Sequence, residues 1–244
     1  MDTQIEKVLS SLRARNINAI FAADGSEANR KILSLIPSGA TVGIGDSTST
    51  RQLGTLKLLK ERGIRSIDPF EPKREDMNIQ EYRQQRERIR KETTLTDVFL
   101  AGTNALTQDG RLVNVDAVGN RVAGMFWGHP LSIIVVGRNK IVRDLEEAFQ
   151  RIRYLIAPTH FHMRTLLGGR KRETPCVATG ECTDCRVKDR GCNIFTIIES
   201  KPAETDLNII LVNQDLGLGW DPSWPEERIA AIAENYKTLV SIPV

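Results

Sequence analysis

The residues best suited to chemistry fall in three stretches of the chain. The first, Thr103–Gly124 (TNALTQDGRLVNVDAVGNRVAG), sets Asn104, Asp109, Gly110, Asn114, Asp116, Gly119, Asn120 and Arg121 around a short apolar run, LVNV. That layout places side-chain amides, carboxylates and a guanidinium at the ends of a buried strand, where binding residues are usually carried. Thr103, Asn104, Asn114, Gly119, Asn120 and Arg121 are therefore candidate substrate contacts, and Asp116 is a candidate catalytic base or hydroxyl acceptor. Taken singly, an Asn or Asp at a strand end more often completes an Asx turn.

The second stretch is GIGDSTST, comprising Gly43, Gly45, Asp46, Ser47, Thr48, Ser49 and Thr50 with Ile44 between the glycines. It lies between a strand pattern and a helix pattern. Glycine allows a sharp turn and close backbone approach, and a helix N-terminus offers free amides and partial positive charge. With four hydroxyls and Arg51 added, the loop suits a phosphate or a carboxylate. It is neither a Walker loop nor a dinucleotide fingerprint, and a capped strand-to-helix turn explains its spacing equally well. Asp46 opposes a bare anion unless a metal or a ligand hydroxyl meets it. Lys140 follows the apolar run LSIIVVG through Arg138 and Asn139. It is a second candidate catalytic residue or counter-charge if it points into the same cleft, and a surface loop cap if it does not. His129, beside Pro130, reads as an ordinary loop histidine.

The third stretch holds Cys176, Cys182, Cys185 and Cys192, spaced C-x5-C-x2-C-x6-C. Four soft donors within one loop can close around a single metal. The Cys182–Cys185 pair has chelating spacing, while the whole matches no standard zinc-finger or ferredoxin pattern. Lys171, Arg172, Arg186, Lys188 and Arg190 would lower the thiol pKa values and partly neutralise a tetrathiolate centre. His160 and His162 are upstream alternatives that read as loop residues.

These stretches must be positioned by a core, and the composition supplies one. Of 244 residues, 40% are hydrophobic and 27% charged, as in an ordinary globular protein. A net charge of +3 is too small to argue for nucleic acid, and 5% aromatic content gives little stacking surface for bases. No apolar run approaches the roughly 20 residues that span a bilayer, and the N-terminal segment has no signal-peptide pattern. A cytoplasmic protein with reduced thiols is expected, with no membrane partner.

Apolar periodicity places strands at INAIFAA, ATVGIG, IRSID, DVFLAG, LVNV, LSIIVVG, NIFTIIES and LNIILVN. Helices are expected at the N-terminus, after Asp24 or Ser26, from Ser47 or Thr48 to near Gly63, over the charged segment from Asn78 to Thr93, from Asp144 to Leu155, and from near Pro225. The charged segment reads as a solvated helix face. The region after Pro158 reads as long and irregular. Alternation of strands and helices argues for a mostly parallel sheet covered on both faces. The final two strands, joined by a short loop, are expected to pair antiparallel at an edge. The C-terminal helix is expected to dock on the core or on a partner subunit, which leaves a homodimer open.

The segment GTNALTQDGRLVNVDAVGNRVAGM, followed by VVGRNKIV and LEEAFQRIR, closely resembles the LUD-domain (lactate utilisation, formerly DUF162) family. VGIGDSTST and TPCVATGECTDCRVKDRGCNI resemble further segments of that family, the latter in a branch of stand-alone members. The resemblance implies a Rossmann-like α/β sheet of the NagB/RpiA/CoA-transferase-like type. The chain is then a single LUD-type domain over 1–244, with a cysteine-rich metal-binding insertion at about 158–193. It implies a role in oxidation of lactate or related organic acids, beside redox partner proteins. It also favours a [4Fe–4S] cluster over zinc on the four cysteines. In such a fold ligands sit outside the carboxyl ends of the strands, so the three polar loops are expected to converge on a cleft for a small anionic metabolite. Two alternatives stand beside this reading: a non-enzymatic assembly or electron-transfer subunit with structural zinc, and a sugar-phosphate or CoA-ester enzyme of the same fold. No glutamate motif of the CoA transferases is found.

Overall fold

The longest apolar runs, LSIIVVG and LNIILV, have no polar alternation and need burial on both faces. The computed structural model, which describes residues 2–168 and 173–239, gives them that burial in the middle of a six-stranded sheet. The strands are β1 (Asn18–Ala22), β2 (Val42–Ile44), β3 (Ser66–Ile67), β4 (Val98–Gly102), β5 (Ala105–Thr107), β6 (Leu112–Asp116), β7 (Leu131–Gly137), β8 (Ile141–Val142), β9 (Ile194–Ile198) and β10 (Asp206–Val212). The larger sheet has the order β1-β10-β7-β4-β2-β3, and every pairing in it is parallel. This is the α/β, Rossmann-like sheet that the alternation implies.

Alternate residues of each central strand feed different core layers. Phe99, Ile134, Val136, Ile209 and Leu211 pack with Ile5, Val8, Leu9 and Leu12 of α1 (Thr3–Ala14). Leu100, Ile133, Val135, Ile210 and Val212 pack with Ala28 and Ile32 of α2 (Gly25–Leu35) on the opposite face. A period of two in the strands meets a period of 3.6 in the helices on each side.

A second sheet, β8-β5-β6-β9, lies beside the first and is mostly antiparallel. It takes LVNV (β6) out of the main sheet. It also overturns the expected pairing of the last two strands. β10 is inserted in parallel between β1 and β7, whereas β9 pairs with β6. The reason lies in side-chain character: β10 is buried from Leu207 to Val212 and needs a neighbour on each edge, while β9 leaves Ile194 and Ile197 partly exposed and suits the rim of a small sheet.

Two helical expectations change in detail, while the charged segment forms the expected helix. The helix opened by Ser47 breaks at Gly54, whose φ is +68°, into α3 (Thr48–Gln52) and α4 (Thr55–Glu61). The charged segment forms α5 (Ile79–Glu92), started by a reciprocal capping box between Asn78 and Glu81. The region after Pro158 begins as helix. α7 (Leu145–Arg151) runs through a π-helical turn, Ile152–Ile156, into α8 (Ala157–Leu166). Proline has no N–H and crowds the carbonyl four residues back; here that carbonyl, on Tyr154, lies in the wider π turn. His160 and His162 are thus helical residues. The remaining helices are α6 (Asn120–Phe126), the short α9 (Cys176–Thr179) and α10 (Glu226–Leu239), which docks on the core through Ile232 and Tyr236. His129 is buried, with Nε2 2.6 Å from the Thr93 carbonyl and its ring against Phe99. Among the described residues no helix is long and apolar enough to cross a membrane.

Gly43 shows how tightly β2 is seated. A Cβ there would lie 2.5 Å from Thr96 Oγ1 and 2.8 Å from the Thr93 carbonyl oxygen. Gly43→Ala is expected to lower stability by about 1–3 kcal/mol through overpacking, read as a fall in the urea midpoint with an unchanged m-value.

Candidate functional site

In a parallel sheet the loops after the strands share one edge, and the first strand of each pair must be followed by a turn that leaves that edge open. Here the loops after β2, β4, β7 and β10 bring Asp46, Thr103, Lys140 and Gly217 to one cavity of about 1040 Å³. The loop after β6 adds Asp116, Gly119 and Asn120, and α6 adds Arg121. The expected convergence of polar loops is therefore seen for Asp46, Ser47, Thr48, Thr103, Asn104, Asp116, Gly119, Asn120, Arg121 and Lys140, all of which line this space.

Gly45, Ser49, Thr50 and Asn114 lie behind the wall and serve packing, and Ser47, on the wall, also has a structural role. Gly45 makes room for Phe99 and Ala101, which a Cβ would meet at 2.8 and 2.9 Å. Ser47 caps the five-residue α3 by accepting from the Thr50 amide, so the helix start is satisfied internally. Thr50 is buried, its hydroxyl donating to the Ser47 carbonyl. Ser49 is buried beneath Lys140. Asn114 is fully buried, and its Oδ1 accepts from the Thr103 hydroxyl, the Asn104 amide and Arg121.

Arg121 binds the loops together. Its Nη1 donates to the Gly102 carbonyl at 3.0 Å and to Asn114 Oδ1 at 2.8 Å; its Nη2 donates to Asn104 Oδ1 at 2.9 Å and to the Val115 carbonyl at 2.7 Å. No carboxylate joins this set; the Asp46 carboxyl across the cavity is within electrostatic reach of the charge. Asp116 is similarly engaged: Oδ1 accepts from the Ala117 amide and Oδ2 from the Val122 amide, which holds the start of α6.

Lys140 is the unusual group. It is buried, and Nζ donates to Ser49 Oγ at 2.9 Å and to the Thr103 carbonyl at 2.8 Å. Among the described residues it has no acidic partner, unlike most buried lysines. Burial, and secondarily the Arg121 charge, pull its pKa down to about 7. A neutral amine has two N–H bonds, which match these two acceptors, and a lone pair free for the cavity. Gly217 fits closely around it: its φ is +67°, and a Cβ would lie 3.0 Å from Nζ. Asp46 is shifted the other way. Loss of water raises its carboxyl pKa, against the opposing pull of Arg51, Arg164 and Arg121.

The far wall was not anticipated from the sequence. Arg83, Arg86 and Arg90 of α5 face the cavity, as do His160, Phe161 and Arg164 of α8. Tyr236 of α10 closes one side, hydrogen-bonded to His160 Nδ1, with its own pKa raised by burial. The i, i+3, i+7 spacing of the α5 arginines was the available signal, since those positions share a helix face.

Cys192 also lines the cavity, on a loop seated by Gly191 against the Phe161 ring. Cys176, Cys182 and Cys185 do not reach the cavity, but all four thiols are half-buried. Each of the others acts electrostatically on Cys192. Arg190 ties the loop internally, donating to the Cys185 and Cys192 carbonyls at 2.7 and 3.0 Å. The donor chemistry fits a thiophilic metal or cluster. The side chains are not drawn into a cage, since among the described residues no three His, Cys, Asp or Glu side chains are placed to hold a metal ion. Arg186 and Lys188 are exposed, and Lys171 and Arg172 lie outside the described residues.

A family model described as LUD domain matches residues 5–212. No curated protein matches the chain. Among solved structures, a DUF162-family protein from Deinococcus radiodurans aligns at 12% identity and a TM-score of 0.47, over 86% of this chain and 96% of that one. A ribose 5-phosphate isomerase from Plasmodium falciparum aligns at 16% identity and a TM-score of 0.29, over 49% of this chain and 52% of that one.

The state of Lys140 has a thermodynamic signature. Its folded pKa, about 7, lies below its ordinary value of 10.5. Between those two values the unfolded chain binds a proton that the folded protein does not, so this group makes stability rise with pH across that window. Wild type should gain stability relative to Lys140→Met from pH 7 to pH 10, measured by urea midpoints. A difference that does not change with pH would return the amine to its ordinary value.

Proposed function

The chain belongs to the LUD-domain family, whose name denotes lactate utilisation, and from that general role we propose that its cavity binds a small organic acid of the lactate type. The observation that carries the reading is Lys140: a buried amine with no acidic partner among the described residues, at the floor of a cavity formed by the carboxyl ends of four parallel strands. In this reading the ligand carboxylate is drawn by the buried charge of Arg121. The Thr48 hydroxyl and the Asn104 and Asn120 amides orient its remaining oxygens.

Lys140 then exchanges a proton with the ligand hydroxyl or carbonyl. A pKa near neutrality lets one group both accept and donate that proton. Asp116 has both carboxylate oxygens already on backbone amides, which suits it to accept a ligand hydroxyl more than to act as a mobile base. Burial raises the Asp46 carboxyl pKa against the pull of Arg51, Arg164 and Arg121, and a ligand hydroxyl would meet this acid better than an anionic oxygen.

The four cysteines extend the reading to redox work. Cys176, Cys182, Cys185 and Cys192 would hold a [4Fe–4S] cluster in preference to zinc, and such a cluster supplies one-electron transfer when bound. Its support is the donor set itself and the placement of Cys192 on the cavity wall. Closing the thiols around a cluster requires this loop to contract from its present arrangement.

Lactate, pyruvate, glycolate and oxalate should each be titrated against thermal unfolding of wild type and Lys140→Met. At about 100 times Kd, binding contributes about 2.7 kcal/mol of stability, and at least one acid should produce that shift in wild type and not in the variant. Absence of a shift with all four acids would end the small-acid reading. Protein purified without oxygen should carry iron and acid-labile sulfide, both lost in a Cys182→Ser/Cys185→Ser variant. Stoichiometric zinc in colourless protein would instead favour a structural metal.

A further inference from the structure

A three-carbon acid leaves most of a cavity of about 1040 Å³ empty, and cavities near that size ordinarily enclose ligands several times larger. The space beyond Lys140 is bounded on one side by guanidinium groups. Arg83, Arg86 and Arg90 stand at i, i+3 and i+7 on α5, and Arg164 reaches in from α8. None of these four has an ion pair among the described residues. Of the acids in the cavity lining, Glu87 is engaged with Lys91 at 2.9 Å, and Asp46 acts on Arg86 and Arg164 through space without an ion pair.

The arginines are also held in place. Arg86 donates Nε to the Pro69 carbonyl at 3.0 Å and lies over the Phe70 ring, 5.2 Å from its centroid. This fixes the plane of its guanidinium. The Nε of Arg90 is buried and has no hydrogen-bond partner, a state that costs free energy unless something else meets it. Burial, and secondarily the nearby Arg90 charge, disfavour the charged form of Arg86. Arg83 is exposed and Arg86, Arg90 and Arg164 are half-buried; gathering like charges on one wall is unfavourable by itself and is relieved when a polyanion neutralises them.

We infer that this wall is a phosphoryl subsite: it binds the phosphate or diphosphate arm of a larger ligand whose reactive end lies at Lys140. The choice of phosphoryl over carboxylate follows from stoichiometry. A carboxylate offers two oxygens and one charge, too few for several guanidinium forks. A diphosphate offers more oxygens and charges, arranged for paired N–H donors. The inference rests on the cavity being the ligand site proposed above and deepens that reading by giving the ligand a second, phosphorylated part.

The probe is inorganic pyrophosphate, titrated calorimetrically into the full chain at low and at physiological salt. Saturable binding at one site is expected. Arg90→Gln and Arg164→Gln should each weaken it about tenfold, the loss of one charge-assisted contact. Arg88→Gln should leave it unchanged, because Arg88 sits exposed on the same helix, away from the cavity. Thermal unfolding of each variant checks that the fold is kept. Lack of saturable binding, or equal weakening by Arg88→Gln, overturns the subsite. Pyrophosphate binding that survives in Lys140→Met supports it. Failure of the small acids alongside intact pyrophosphate binding discards the earlier assignment of the acid and retains this one.

Discussion

A single buried guanidinium, that of Arg121, holds the junction between the two sheets. Four acceptors converge on it: the Gly102 carbonyl at the end of β4, the Val115 carbonyl in β6, and the side-chain oxygens of Asn104 and Asn114. Gly102, Asn104 and Val115 border the cavity and Asn114 lies buried behind its wall, so this one hub ties the site's loops together. Removing one member of such a buried, charged network leaves the others unsatisfied, at a cost of several kcal/mol. The absence of a carboxylate from the set has a second consequence. The charge is hydrogen-bonded by neutral dipoles alone, with the Asp46 carboxyl acting on it only through space.

Lys140 follows from the same arrangement. Its two acceptors, Ser49 Oγ and the Thr103 carbonyl, are fixed by α3 and by the end of β4 that Arg121 clamps. Burial and the adjacent guanidinium bring its proton affinity toward neutrality. The floor of the cavity is thus a neutral-to-cationic surface, with Arg90 and Arg164 on the opposite wall and a carboxyl of raised pKa at Asp46. The cationic groups are spread over the whole cavity and are not confined to the start of the short helix α3.

Much of this was legible in the sequence because strand patterns locate the loops that follow them. DVFLAG and LSIIVVG located where Asn104 and Lys140 leave the main sheet, and parallel connections force those loops to one edge, while Asp116 reaches it from the second sheet. The glycine loop was harder to read. Gly43 and Gly45 serve close packing against Thr93, Thr96 and Phe99, and sequence cannot distinguish a glycine that admits a ligand from one that admits a neighbouring side chain. The α5 arginines were hidden for a related reason. A helix with a single buried residue, Tyr82, looks solvated on every face until the opposite wall of a cavity is known. The insertion of β10 between β1 and β7 was equally invisible, since strand order is a long-range property that a seven-residue apolar run does not encode.

The central claim is that one cavity, floored by Lys140 and walled by arginines, is where the protein meets its ligand. A crystal structure of the full chain grown with an organic acid that stabilises it tests this most directly. Density for the acid within hydrogen-bonding distance of Lys140 Nζ and facing Thr48 is the predicted result. An acid bound elsewhere on the molecule, with the Lys140 cavity filled only by water, would contradict it.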